Sequence, residues 1–77
     1  MEKYRFQVLI EEDEDGWYVA DVPALPGCHT QGRTFEEALA KIREVIEMCI
    51  QEMREEGTPI DSRYPEVVGN KTLEIAV

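Results

Sequence analysis

Positive charge is scarce in this chain. Eight lysines and arginines stand against seventeen aspartates and glutamates, with one histidine, for a net charge of −9. A surface of that sign is repelled by phosphate backbones, so autonomous nucleic-acid binding is not expected. A basic protein would be drawn to it, and association would slow as salt rises. Cysteine is scarce too: Cys28 and Cys49, well separated and with a single histidine, match no zinc spacing. No apolar run approaches the ~20 residues of a membrane span. The opening "MEKYRF" is not the basic-then-apolar order of a signal peptide. These absences predict a cytoplasmic protein with reduced thiols, no membrane association and no cofactor.

What is present fits one small domain over residues 1–77. A chain of this size buries only about 60% of its unfolded surface, so the core is thin and self-association would help. "YRFQVLI" (4–10) alternates Tyr4, Phe6, Val8 and Ile10 on one face with Arg5, Gln7 and Leu9 on the other and reads as a strand. "EEDEDG" is a turn ending in Gly16, and "WYVADV" (17–22) is the second strand of an antiparallel hairpin. Pro23, Pro26 and Gly27 break "PALPG" into a corner, after which "CHTQG" (28–32) is a short third strand.

Thr34 and Glu37 in "TFEE" form a capping box. The Thr34 hydroxyl takes the Glu37 amide proton, and the Glu37 carboxylate is expected to reach back. Apolar residues then recur with helical spacing to Met53, Gly57 ends the helix and Pro59 prevents its restart. A helix over about 35–56 spans roughly 33 Å. "TPIDSRYPEVVGN" (58–70) reads as a loop, and "TLEIAV" as a fourth strand, reached by a right-handed crossover that allows it to lie parallel to its neighbour. The expected class is α+β in the order β-β-β-α-β: a small, mostly antiparallel sheet with one long helix on one face.

"GCHTQG" raises the question of a Cys-His nucleophile. Adjacent strand residues point to opposite faces, so Cys28 and His29 diverge, Cys28 toward the helix and His29 toward solvent or a partner. Glu11, Glu12, Asp13, Glu14 and Asp15 lack the calcium-loop pattern and make a solvated hairpin tip or an acidic contact surface. Trp17 and Tyr18 lie on opposite faces, one bound for the core and the other an exposed anchor. Asp21, a charge inside an apolar strand, suggests an edge position or a salt bridge to Arg5. No second acid stands mid-strand in "YRFQVLI" to complete a metal-dependent nuclease pair.

Over roughly residues 3 to 60 the chain resembles the HicB antitoxin family: a first strand, a D-G turn, a "YVA" strand, "PALPGC", "TQG" and "FEEA" opening the helix. The resemblance implies a partial RNase H-like fold and a role in binding a small basic HicA toxin, an mRNA nuclease, and covering its RNA-binding and catalytic surface. On this reading Glu11 to Asp15, Trp17, His29 and the outer helix face meet the toxin. Pro26, Gly27, Cys28, Gly32, Thr34, Glu37 and Gly57 serve as scaffold. Many members carry a C-terminal DNA-binding segment, which a chain ending at Val77 is expected to lack, and Arg33 stands where members often have an acid. The expected assembly is a homodimer or larger homo-oligomer, and no catalysis is expected. The alternatives are a solitary oligomeric module without a toxin and a small RNase H-like nuclease.

Overall fold

The computed structural model describes residues 3–60 and 68–77. Three strands, β1 (Leu9–Glu12), β2 (Tyr18–Asp21) and β3 (His29–Gly32), precede one helix, α1 (Phe35–Glu56). The sheet runs β1-β2-β3, both pairs antiparallel, with Ile10 opposite Ala20 and Ala20 opposite Thr30. The α+β class and its β-β-β-α order are as the sequence predicts.

The hairpin is closed by a tight turn. The Gly16 amide donates to the Asp13 carbonyl (3.1 Å) with Gly16 at φ 84°, and the Asp13 amide donates to the Trp17 carbonyl (2.8 Å). That closure fixes register, because a shift by one residue would turn every side chain to the other face. Glu11 and Glu12, expected in the turn, are therefore drawn into β1 opposite Val19 and Tyr18. Among the described residues the ladder starts at Leu9, later than Tyr4, while Phe6 and Val8 still pack on the core.

Two successive turns connect β2 to β3: Leu25 N–H donates to the Val22 carbonyl and Cys28 N–H to the Leu25 carbonyl, each at 3.0 Å. Val22 N–H closes the loop on the Cys28 carbonyl, also at 3.0 Å. The corner turns Leu25 inward, and it joins Ala20, Val22, Cys28, Ala38 and Ile42 as the buried core. Burying side chains of this kind is worth about 1.5–3 kcal/mol for each of the larger ones.

α1 starts where Thr34, in extended conformation, accepts the Glu37 amide on Oγ1 at 3.0 Å. The Glu37 carboxylate pairs with Lys41 Nζ at 3.0 Å, one helical turn ahead, and also meets the backbone at Arg33 on the cap side; the two hold its pKa down. Gly57 at φ 74° ends the helix, its amide donating to the Arg54 carbonyl and the Thr58 amide to the Met53 carbonyl, a Schellman closure. Helix and sheet approach closely at Gly32. A Cβ built there would sit 2.6 Å from the Ala38 backbone nitrogen and 3.0 Å from the Glu37 carbonyl carbon.

Two expectations are corrected. Residues 72–77 form no strand: Leu73 and Ile75 are each 70% exposed, and Val77 is fully exposed. Alternation gives that segment strand propensity, but no ladder among the described residues receives it, and the fourth strand and its parallel crossover are absent there. Asp21 lies on the central strand, not at an edge, and makes no ion pair among the described residues; its charge is tolerated because it points away from the helix into solvent. The expected loop 58–70 falls partly on 61–67, outside the described residues.

Thr34→Ala should cost about 1 kcal/mol of unfolding free energy in urea denaturation. Gly32→Ala should cost about 2–3 kcal/mol, because backbone atoms must give way. A Gly32→Ala protein as stable as the parent would refute the close packing.

Candidate functional site

Strand periodicity sorts the sheet into two faces. Ile10, Tyr18, Ala20, Val22, Cys28, Thr30 and Gly32 take the face that α1 covers, as their burial and register show. The other face carries no helix. Across it run two cross-strand rows, Leu9–Asp21–His29 and Glu11–Val19–Gln31, each in register over the three strands. One step beyond, Trp17 and Arg33 complete a third row, the Arg33 guanidinium 4.0 Å from the Trp17 ring centroid. Stacking of this kind is worth about 0.5–1 kcal/mol at an exposed site and holds the indole in place.

The face combines half-buried apolar groups (Val19 and Trp17, with Leu9 beside them) with exposed Glu11, Asp21, His29 and Gln31. An apolar centre with a charged surround is what a protein-binding surface requires. The hairpin tip adjoins it, with Glu14 and Asp15 exposed. Asp13 is partly spent internally: its Oδ1 accepts the Asp15 and Trp17 amides, both at 2.9 Å. Glu12 faces the other way, and its charge raises the pKa of the Tyr18 phenol beside it.

The residues picked out from sequence divide accordingly. Glu11, Trp17 and His29 are brought onto one face, Glu14 and Asp15 sit at its end, and Glu12 does not belong to it. Pro26 and Gly27 form the exposed outside of the corner that buries Leu25. Leu9, Val19, Asp21, Gln31 and Arg33 are members that sequence reasoning did not assemble. What assembles them is the β2–β3 register, which the sequence does not supply: pairing Tyr18 with Gly32 puts Trp17 beside Arg33.

Cys28 and His29 diverge: Cys28 is completely buried, His29 exposed. Burial pushes the Cys28 thiol up to about 12, with Cys49 adjacent as a second cause. A thiol held neutral at physiological pH is space-filling and no nucleophile. Among the described residues no cluster of three His, Cys, Asp or Glu side chains could hold a metal ion, and no helix is long and apolar enough to cross a membrane.

A family model, HicB-like antitoxin of bacterial toxin-antitoxin systems, matches residues 6–72, which takes in the whole sheet and helix. The chain belongs to the HicB-like antitoxin family. It is 52% identical over 58 residues to a UPF0150 protein of Synechocystis, across 75% of this chain and 84% of that one. A UPF0150 protein of Thermoplasma acidophilum is 48% identical across 73% of this chain and 81% of its own length. One from Archaeoglobus fulgidus is 47% identical across 61% and 68%. In this HicB-like chain Leu25, Cys28, Gly32 and Thr34 are scaffold by their contacts: the corner seats Leu25, Cys28 fills the core, Gly32 admits the helix and Thr34 caps it.

The folded HicB-like chain should react with a thiol reagent at pH 8 through Cys49 first, with Cys28 reacting only on unfolding. Because the folded Cys28 pKa lies above the ordinary 9.0, its contribution to stability is complete below pH 9 and declines as pH rises toward 12. Equal labelling rates for the two thiols in the native state, read by mass spectrometry, would contradict this burial.

Proposed function

We propose that this chain is an antitoxin that binds a small, basic, HicA-like mRNA-cleaving toxin in the cytoplasm and silences it by covering its RNA-binding and catalytic surface. The observation that carries this reading is the family match across residues 6–72. The net charge of −9 supports it: a nuclease that holds RNA through cationic side chains presents the surface that such a chain attracts.

The helix-free sheet face is the contact surface in this reading. Trp17, braced by Arg33, supplies a rigid aromatic anchor, and Val19 and Leu9 extend the apolar centre. Glu11, Asp21, Glu14 and Asp15 steer the basic partner into register, and His29 and Gln31 lie at the β3 side of the face. Inhibition needs no chemistry by this chain. Carboxylates on a stable sheet compete with RNA phosphates for the same cations, and the backbone behind them does not have to reorganise on binding.

Co-expression with a HicA-type toxin should restore growth, and purified complex should form with an association rate that falls steeply between low and physiological salt. Trp17→Ala should weaken binding by at least about thirtyfold, the scale of a central aromatic anchor. The double charge reversal Glu11→Lys/Asp21→Lys should slow association at low salt. Failure of rescue, or binding indifferent to both variants, would reject the reading.

A further inference from the structure

On the side of the sheet that α1 covers, the fold brings both cysteines of the chain together. Cys28 is fixed where the corner meets β3: its amide donates to the Leu25 carbonyl and its carbonyl accepts from the Val22 amide, each at 3.0 Å. Its side chain is completely buried in the core. Cys49 stands two helical turns beyond Ile42, so it shares the face of α1 that packs on that core. Leu25 and Cys49 line the same open cleft of about 240 Å³, with Pro26, Glu52, Met53 and Glu56. Because Leu25 is bonded to Cys28 through the corner, the two thiols lie side by side, and the Cys49 sulfur helps to raise the Cys28 pKa. Both thiols are free.

The two differ in what can reach them. Cys49 is half-buried and its cleft opens to solvent, whereas Cys28 meets only its neighbours in the core. A solvent-facing thiol next to a shielded one is the arrangement in which the first is oxidised and the second resolves it. The cleft also selects the oxidant. Glu52 and Glu56 in its lining, on a chain of net charge −9, repel anionic disulfides such as oxidised glutathione and admit a neutral peroxide.

We propose that Cys28 and Cys49 form a peroxide-oxidised dithiol, which closes an intramolecular disulfide between β3 and the second half of α1. The Cys49 thiolate attacks one oxygen of hydrogen peroxide and the O–O bond breaks. The leaving hydroxide takes up the proton that Cys49 released and becomes water, and Cys49 is left as a sulfenic acid. The Cys28 sulfur then attacks the Cys49 sulfur and passes its proton to the departing hydroxyl. The S–S bond forms, the S–O bond breaks and a second water leaves. Two thiols and one peroxide become one disulfide and two waters. In the reduced chain Cys28 only fills space; it becomes a reactant once an electrophilic sulfur is formed against it. A reducing dithiol reverses the change by exchange. The bond closes the loop from Cys28 to Cys49 and secures the half of α1 that Val45, Ile46, Cys49 and Met53 hold to the core.

Mass spectrometry of the reduced full chain, treated with stoichiometric hydrogen peroxide and then unfolded and alkylated, tests this. The intact mass should fall by two hydrogens, one peptide pair should join Cys28 to Cys49, and dithiothreitol should restore both thiols. The oxidised chain should keep its helical circular dichroism and melt at least about 5 °C higher. With dimedone present, Cys28→Ala should accumulate at least about tenfold more Cys49 sulfenic adduct than the parent, because nothing resolves it. If that variant does not fold, the peptide map of the parent decides alone. Sulfenic or sulfinic acid held on Cys49 beside a free Cys28 would overturn the proposal. So would disulfides formed only between chains, a folded Cys28→Ala that traps no more adduct than the parent, or an oxidised chain that melts no higher.

Discussion

Where β3 gives way to α1, Gly32 lets the backbones of sheet and helix approach to a distance that a single methyl group would forbid. Nearly every other feature follows from that contact. It seats Ala38 and Ile42 against Ala20 and Cys28, and in a chain of seventy-seven residues those few side chains are most of the core. Thr34 must follow within two residues to cap a helix that starts so close to the sheet, and Leu25 must be folded inward by the corner to close the far end. A core this thin depends on each of these parts, because there is little other buried area to offset a loss.

The same contact determines what is left for function. One helix covers one face of three strands, so the opposite face is open by construction, and alternation along β1, β2 and β3 decides what stands on it. Asp21 illustrates the consequence: on the covered face a charge there would be prohibitively costly, and on the open one it becomes part of an acidic surface. Carboxylates, an apolar centre and a braced tryptophan then coincide on the face that α1 leaves uncovered. The neutral, buried Cys28 thiol belongs wholly to the covered face.

Much of this was legible in the sequence, for physical reasons that differ by element. The helix was readable to the residue, because Thr34 and Gly57 are local signals whose geometry is decided by neighbours in the chain. The divergence of Cys28 and His29 was readable from strand periodicity alone. The ends of β1 were not, since Glu11 and Glu12 are drawn into the ladder by the turn's closure and not by their own preference. Leu25 was passed over because it lies between two prolines in a loop, and only the repeated three-residue turn points it inward. The final segment shows the limit most clearly: "TLEIAV" has the pattern of a strand, but pattern states what a segment can pair with and not whether a ladder is there to receive it. The Trp17–Arg33 stack required the register, which sequence alone leaves open.

Carboxyl footprinting by mass spectrometry, on the free chain and on its complex with a HicA-type toxin, tests most directly whether the open sheet face is the one that meets the toxin. The account predicts that Glu11 and Asp21 become protected on complex formation while Glu44 and Glu55 of the helix keep their free-state reactivity. Protection of the helix carboxylates with Glu11 and Asp21 unchanged would contradict it.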